Sequence, residues 1–108
     1  MNNATDATFS AKVLDRSATL PVVFDLWATW CGPCRVLTPI LEKVVEESAG
    51  SVELVAVDVD KNPRTAQAFG VQSIPSVFAF KNGQVVDSFV GARSERAVRK
   101  FIAKLDRL

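Results

Sequence analysis

The segment Val22-Val23-Phe24-Asp25-Leu26-Trp27 carries apolar side chains at almost every position rather than at alternate ones. That pattern predicts a strand buried on both faces and bounded by Pro21. From Cys34 the period changes: Leu37, Ile40, Leu41, Val44 and Val45 recur at helical spacing, while Glu42, Glu46 and Glu47 fall mainly on the other side. Gly50 ends the predicted helix. Val52 to Val59 repeats the buried-strand pattern, and Asn62-Pro63 opens a short helix that Gly70 stops. Two further strands, Val77 to Phe80 and Val85 to Val90, flank Lys81-Asn82-Gly83-Gln84, where Asn-Gly supplies the positive φ angles of a tight hairpin. Ser94 caps a last amphipathic helix carrying Ala97, Val98, Phe101, Ile102 and Leu105. Upstream the signals are weaker, with a first helix over Phe9 to Leu14 and a strand near Asp6-Ala7-Thr8. No repeat, low-complexity tract or linker divides the chain, so residues 1–108 are expected to form one domain. Its class is α/β: a central mixed β-sheet flanked by α-helices on both faces.

At 108 residues with a hydrophobic fraction of 48%, the chain can fill one substantial core. Lysine plus arginine number 13 against 12 for aspartate plus glutamate, with no basic block to neutralise phosphates, so nucleic acid is not an expected partner. The longest apolar runs, Leu20 to Leu26 and Val52 to Val57, are too short to span a bilayer. Met1 to Asp6 has neither the positive start nor the apolar stretch of a leader. No membrane association and a cytoplasmic location are therefore expected.

The candidate chemistry lies in the only two cysteines, Cys31 and Cys34, separated by Gly32-Pro33. A bridge over so short a loop removes little chain entropy, which makes it a poor staple and a better redox device. Both cysteines sit where the first buried strand gives way to the long helix, and residues three apart there face the same way. A sulfur at a helix start meets unsatisfied N–H groups and the positive end of the dipole, which favour thiolate. Cys31 is thus expected to be the nucleophile, and Cys34, one turn further in, the less exposed sulfur that resolves a mixed disulfide. Pro33 suits an early helical position because its missing N–H would be unpaired there anyway. Half of a zinc site is a poor alternative, since the chain has no histidine and no third cysteine to complete four ligands. Two inert core cysteines, or a dithiol on a module that only holds a partner, are the other readings.

Trp27-Ala28-Thr29-Trp30-Cys31-Gly32-Pro33-Cys34-Arg35 resembles the active-site segment of the thioredoxin family. Ile74-Pro75-Ser76 resembles that family's cis-proline segment, Phe80-Lys81-Asn82-Gly83 its hairpin, Asp60 to Pro63 the turn after its central strand, and Val90-Gly91-Ala92 its glycine corner. The resemblance covers nearly the whole chain after Phe9 and implies a thioredoxin-like fold. It also implies reduction of protein disulfides, with a thioredoxin reductase restoring the dithiol, no cofactor in the chain itself and a monomeric state. An oxidase or isomerase on the same fold is disfavoured, because Gly32-Pro33 is the reducing family's pair. A co-chaperone-like binding module remains the third reading.

By the same resemblance, Asp25 lies beneath Cys34 and exchanges protons with it, a role that needs a carboxyl pKa raised by desolvation. On burial grounds alone Asp25 also reads as a structural aspartate satisfied by a nearby donor. Many family members pair this aspartate with a lysine on the next buried strand, and here that position is Ala56; unless Lys12 or another base reaches in, Asp25 lacks the partner that would favour its charged form. Pro39, inside the long helix, is expected to kink it. Ile74-Pro75 precedes a strand at a place where a cis bond turns the chain sharply, and in the family this loop faces the disulfide. Trp30, Gly32, Pro33, Val59, Ile74, Pro75, Gly91 and Ala92 are expected to form a shallow, largely uncharged substrate-binding patch around Cys31, with the Ile74 backbone pairing a substrate strand.

Overall fold

A computed structural model describes residues 2–105 and 107. The doubly apolar run Val22–Trp27 is the middle strand, β2, of a five-stranded sheet, and five of its six residues are buried. Around it stand β1 (Asn2–Asn3), β3 (Glu53–Asp58), β4 (Ser76–Lys81) and β5 (Gln84–Val90), in the spatial order β1-β3-β2-β4-β5. β1, β3 and β2 run parallel, while β4 and β5 join antiparallel, so the sheet is mixed as expected. Three α-helices accompany it among the described residues: α1 (Gly32–Glu47), α2 (Pro63–Ala68) and α3 (Glu95–Leu105).

Alternation along β2 divides the core in two. Val23 packs with Leu37 and Leu41 of α1 and with Val98 and Ile102 of α3. Val22, Phe24 and Leu26 face the opposite way, towards Val13 and a group of phenylalanines in which Phe9 lies 5.0 Å from Phe24 and Phe69 lies 4.9 Å from Phe78. Asp25 and Trp27 share the side of the sheet on which Val23 meets α1. The hairpin has the torsions its sequence requires, φ 53 at Asn82 and φ 76 at Gly83. Ser94 caps α3, its Oγ accepting from Ala97 N at 3.1 Å. α1 runs unbroken through Pro39 and stops at Glu47, ahead of Gly50, because Ala49 already takes the left-handed φ of 54.

The N-terminal segment differs from expectation. The strand is Asn2–Asn3 rather than a stretch near Asp6-Ala7-Thr8, and the first helix is a π-helical turn over Ser10–Asp15, continued by a 3-10 turn over Arg16–Ala18. The cause is side-chain capture of the backbone, for which Thr and Asp compete well. Thr5 N donates to Thr8 Oγ1 at 2.8 Å and Thr8 N to Thr5 Oγ1 at 3.2 Å, which closes a turn where a strand would need to stay extended. Asp6 then caps α2 from a distant part of the chain, accepting from Thr65 N at 2.7 Å, Thr65 Oγ1 at 2.6 Å and Arg64 N at 3.3 Å. Asn62, the residue before α2, makes no cap of its own; its Oδ1 accepts from Asp6 N at 3.0 Å.

The Thr65 hydroxyl and backbone hold the Asp6 carboxyl below its ordinary value. A depressed folded value means stability that is present above the unfolded value and lost as pH falls through the folded one. Asp6→Ala is therefore expected to lower the melting temperature at neutral pH, with the gap to wild type narrowing on acidification. Thermal melts of both proteins from pH 7 to pH 3 check this; a gap constant across that range would contradict the cap.

Candidate functional site

β2 ends at Trp27, and four residues later Cys31 becomes the N-cap of α1 with extended torsions, φ −87 and ψ 107. Its sulfur does the work usually left to a hydroxyl or carboxylate: Cys34 N–H donates to Cys31 Sγ at 3.2 Å. The two cysteines form a disulfide with their Cα atoms 5.3 Å apart. Pro33 lies in the first turn of the helix, where no N–H is missed. Cys31 and Cys34 are both buried, 3% and 2% exposed, so exposure barely separates them. Their surroundings do. Cys31 lines a groove of about 720 Å³, whereas Cys34 lines a different cavity of about 400 Å³.

The larger groove brings together six of the residues expected at the site: Trp30, Cys31, Gly32, Pro33, Val59 and Ile74. Cys31 Sγ lies 3.8 Å from Ile74 O, a contact in the disulfide state because an oxidised sulfur carries no proton to donate. Pro75, Gly91 and Ala92 do not line the groove. Pro75 is buried behind Ile74, the Ile74-Pro75 bond is cis, and Pro75 O accepts from Gly91 N at 2.8 Å, so Gly91 braces the loop from outside while Ala92 is exposed. The groove also includes Val71, Gln72 and Ser73, which sequence reasoning left out. Asp60 was missed as well: its Oδ2 accepts from Trp30 Nε1 at 2.8 Å and steadies an indole that is 67% exposed. Thirty positions separate these two residues, and no local pattern announces such a pairing.

Asp25 is fully buried in β2, opposite Ala56 of β3 and Val77 of β4. The register confirms that Ala56 occupies the place from which a cation would have faced it. Lys12 does not substitute, because its Nζ donates to Asn3 O at 2.7 Å. Burial pushes the Asp25 carboxyl up to about 7; the Thr38 hydroxyl opposes this rise and the charge of Glu42 adds to it. Thr38 Oγ1 lies 3.3 Å from Asp25 Oδ2, while Asp25 Oδ1 has no hydrogen-bond partner among the described residues. The second cavity, beside Cys34, is lined by Thr38, Trp27 and Pro39.

Among the described residues no cluster of three or more His, Cys, Asp or Glu could hold a metal ion, and no helix is long and apolar enough to cross a membrane. The site brings together a disulfide, a helix N-terminus and one buried carboxyl.

Comparison with known proteins agrees with this chemistry. The family model described as Thioredoxin matches residues 1–104. A thioredoxin of Rickettsia felis is 39% identical over 103 residues, covering 95% of this chain and 96% of that protein. Thioredoxin 1 of Synechococcus elongatus is 46% identical over 88 residues, covering 82% and 80%. A thioredoxin of Mycobacterium tuberculosis is 47% identical over 94 residues, covering 87% and 79%. With matches of this length, and with the Cys-Gly-Pro-Cys disulfide set at the start of α1 behind an exposed tryptophan, the chain belongs to the thioredoxin family of thiol-disulfide oxidoreductases.

Proposed function

We propose that residues 1–108 act as one thioredoxin domain in which Cys31 attacks protein disulfides and Cys34 resolves the product. The observation that carries this reading is the Cys34 N–H aimed at Cys31 Sγ from 3.2 Å, at the end of the helix where negative charge is favoured. In the dithiol form the Cys31 thiolate attacks one sulfur of the substrate, and the other leaves as a thiolate that takes up a proton. Cys34 then loses its proton, attacks Cys31 Sγ and expels the second substrate sulfur. Two electrons pass to the substrate, and the Cys31–Cys34 disulfide remains. Asp25 is the proton acceptor for Cys34 in this reading, and a carboxyl held at about 7 is well matched to that task.

Trp30, Gly32, Pro33, Val59 and Ile74 hold the substrate around the reacting sulfur; Pro75 and Gly91 belong to the same binding patch, joined by the Gly91 N–H to Pro75 O at 2.8 Å, and the exposed Ala92 extends it beyond the groove. The groove has no charged side chain along it, which suits partners of varied sequence. The family implies protein disulfide substrates and a reductase; for this chain the reductase is a thioredoxin reductase. The dithiol exchange uses only groups of one chain, which suits a monomer, and it draws on no cofactor within that chain. A reducing cytoplasm suits a dithiol reductant, with neither membrane nor nucleic acid as a partner.

Cys34→Ser is expected to accumulate mixed disulfides with client proteins, because Cys31 can attack but nothing releases the product, while Cys31→Ser accumulates none. Non-reducing gels after incubation with oxidised protein substrates check this, and equal trapping by both variants would reverse the assignment.

Asp25→Asn is expected to separate stability from activity. A carboxyl raised from 3.8 to about 7 gives its full stability below the unfolded value and loses it progressively as pH climbs to the folded one. The variant should therefore gain stability relative to wild type between pH 4 and pH 7 and level off above, with a gain of up to about 4 kcal/mol. Insulin-disulfide reduction at pH 7 should slow about 100-fold. Denaturant melts across pH, run beside the reduction assay, read both effects; unchanged stability with a wild-type rate would remove Asp25 from the mechanism.

A further inference from the structure

The cavity beside Cys34 is not part of the substrate groove, and it is lined by both Cys34 and Thr38, the residue whose hydroxyl meets the buried carboxyl. Cys34 and Thr38 stand one helical turn apart on α1, at i and i+4, and line the same space. Thr38 Oγ1 reaches Asp25 Oδ2 at 3.3 Å. No other side-chain hydrogen bond to Asp25 exists among the described residues, and Oδ1 is left without a partner.

We propose that Thr38 is the positioning residue for Asp25: its hydroxyl, rather than a cation, orients the buried carboxylate towards the Cys34 side and stabilises its charge during resolution. This inference rests on the reading of Asp25 as proton acceptor.

The surroundings leave little else to do this. From β3 and β4 the neighbours across from Asp25 are Ala56 and Val77, which carry no charge. From α1 the facing groups are Cys34, Thr38 and the carboxylate of Glu42, and Glu42 makes ionisation harder. Lys12 is engaged elsewhere, on Asn3 O. Thr38 is the only one of these neighbours that acts to favour the charged form. At 3.3 Å the bond is long for a hydroxyl and a carboxyl. Ionisation shortens and strengthens such bonds, so the hydroxyl grips Asp25 more tightly at the moment it is charged. With Oδ2 held, Oδ1 is the free acceptor. When the Cys34 thiol deprotonates, its proton goes to Asp25, the thiolate attacks Cys31 Sγ, and the bond between Cys31 and the substrate sulfur breaks. The proton later leaves Asp25 for solvent, and Thr38 keeps its own throughout.

The test uses the intact chain with Thr38→Val, which keeps the branched shape and removes the hydroxyl, and Thr38→Ser, which keeps the hydroxyl. Asp25 is titrated by carboxyl carbon NMR in the oxidised protein, and insulin-disulfide reduction is followed from pH 6 to pH 9.5. In Thr38→Val the Asp25 titration and the acid limb of the rate profile should both move up by about one pH unit. Turnover should be about fivefold slower at pH 7 and near the wild-type rate above pH 9. Thr38→Ser should lie within about twofold of wild type throughout, and Thr38→Val should add nothing to Asp25→Asn. An Asp25 titration that does not move in Thr38→Val overturns the proposal while leaving Asp25 as the base. A titration that moves while the rate profile stays fixed, together with Asp25→Asn as fast as wild type, overturns the role of Asp25 and that of Thr38 with it. A uniform loss of rate at every pH, shared by Thr38→Ser, would mean that Thr38 matters only for packing.

Discussion

Desolvation of Asp25 is felt throughout this site because β2 has no exposed face. The strand is clamped between β3 and β4 in the plane of the sheet and between two apolar layers above and below it. Any polar atom on it must be served by protein. Ala56 and Val77 beside Asp25, and Val23 two residues back on the same face, offer no donor, and Trp27 Nε1 makes no hydrogen bond to it. The side-chain donor that meets Asp25 comes from α1, which lies over that face: the hydroxyl of Thr38. Asp25 has one side-chain partner among the described residues, the Thr38 hydroxyl at Oδ2, and its burial raises the carboxyl to about 7. That is a poor arrangement for stability and a good one for passing a proton.

The difference between the two sulfurs has a similar origin. Residue exposure, 3% against 2%, does not distinguish Cys31 from Cys34. What distinguishes them is what each faces. Cys31 caps the helix, receives the Cys34 N–H and opens onto the uncharged groove between Trp30 and Ile74. Cys34 has given its N–H to Cys31 and faces the cavity shared with Thr38 and Trp27. A sequence can place both cysteines at the start of a helix and order them by depth. It does not show that each sulfur lines a different cavity, because the far wall of the Cys31 groove, Val71 to Ile74, lies about forty residues along the chain.

Where periodicity was strong, the fold was legible. The runs beginning at Val22 and Val52, the helical spacing after Cys34 and the Asn82-Gly83 turn all appear where their patterns put them, since each follows from burial or backbone torsion within a few residues. Asp6-Ala7-Thr8 forms no strand because the Asp6 carboxyl accepts from Arg64 and Thr65, the Asp6 N–H goes to Asn62, and Thr8 exchanges bonds with Thr5, so the segment does not extend into a ladder. The same physics hid Asp60 and Thr38 from the candidate site. Both act through one side-chain hydrogen bond to a residue elsewhere in the chain, and Asp or Thr at a turn or in a helix looks ordinary in isolation. Ala56 was legible as a missing partner only by resemblance, and the register then placed it directly beside Asp25.

α1 connects these features because a single stripe along it, Cys34, Thr38 and Glu42 at successive i+4 steps, forms the border between its buried and its outward side. Leu37, Leu41 and Val44, next to that stripe, fix the helix against the sheet and so set the height of Thr38 over Asp25. Pro39 follows Thr38 directly and lacks an N–H, which leaves the Arg35 carbonyl without its intrahelical donor at the turn that lines the Cys34 cavity. Arg35 itself turns outward, its guanidinium donating to Thr29 O at 2.8 Å. The outcome is a helix with its first turn given to the sulfurs and its second to the carboxyl, and with the packing that holds both lying further along. A substitution at Leu37 or Leu41 would therefore move the helix as a body, whereas one at Thr38 acts first on the hydroxyl that meets Asp25.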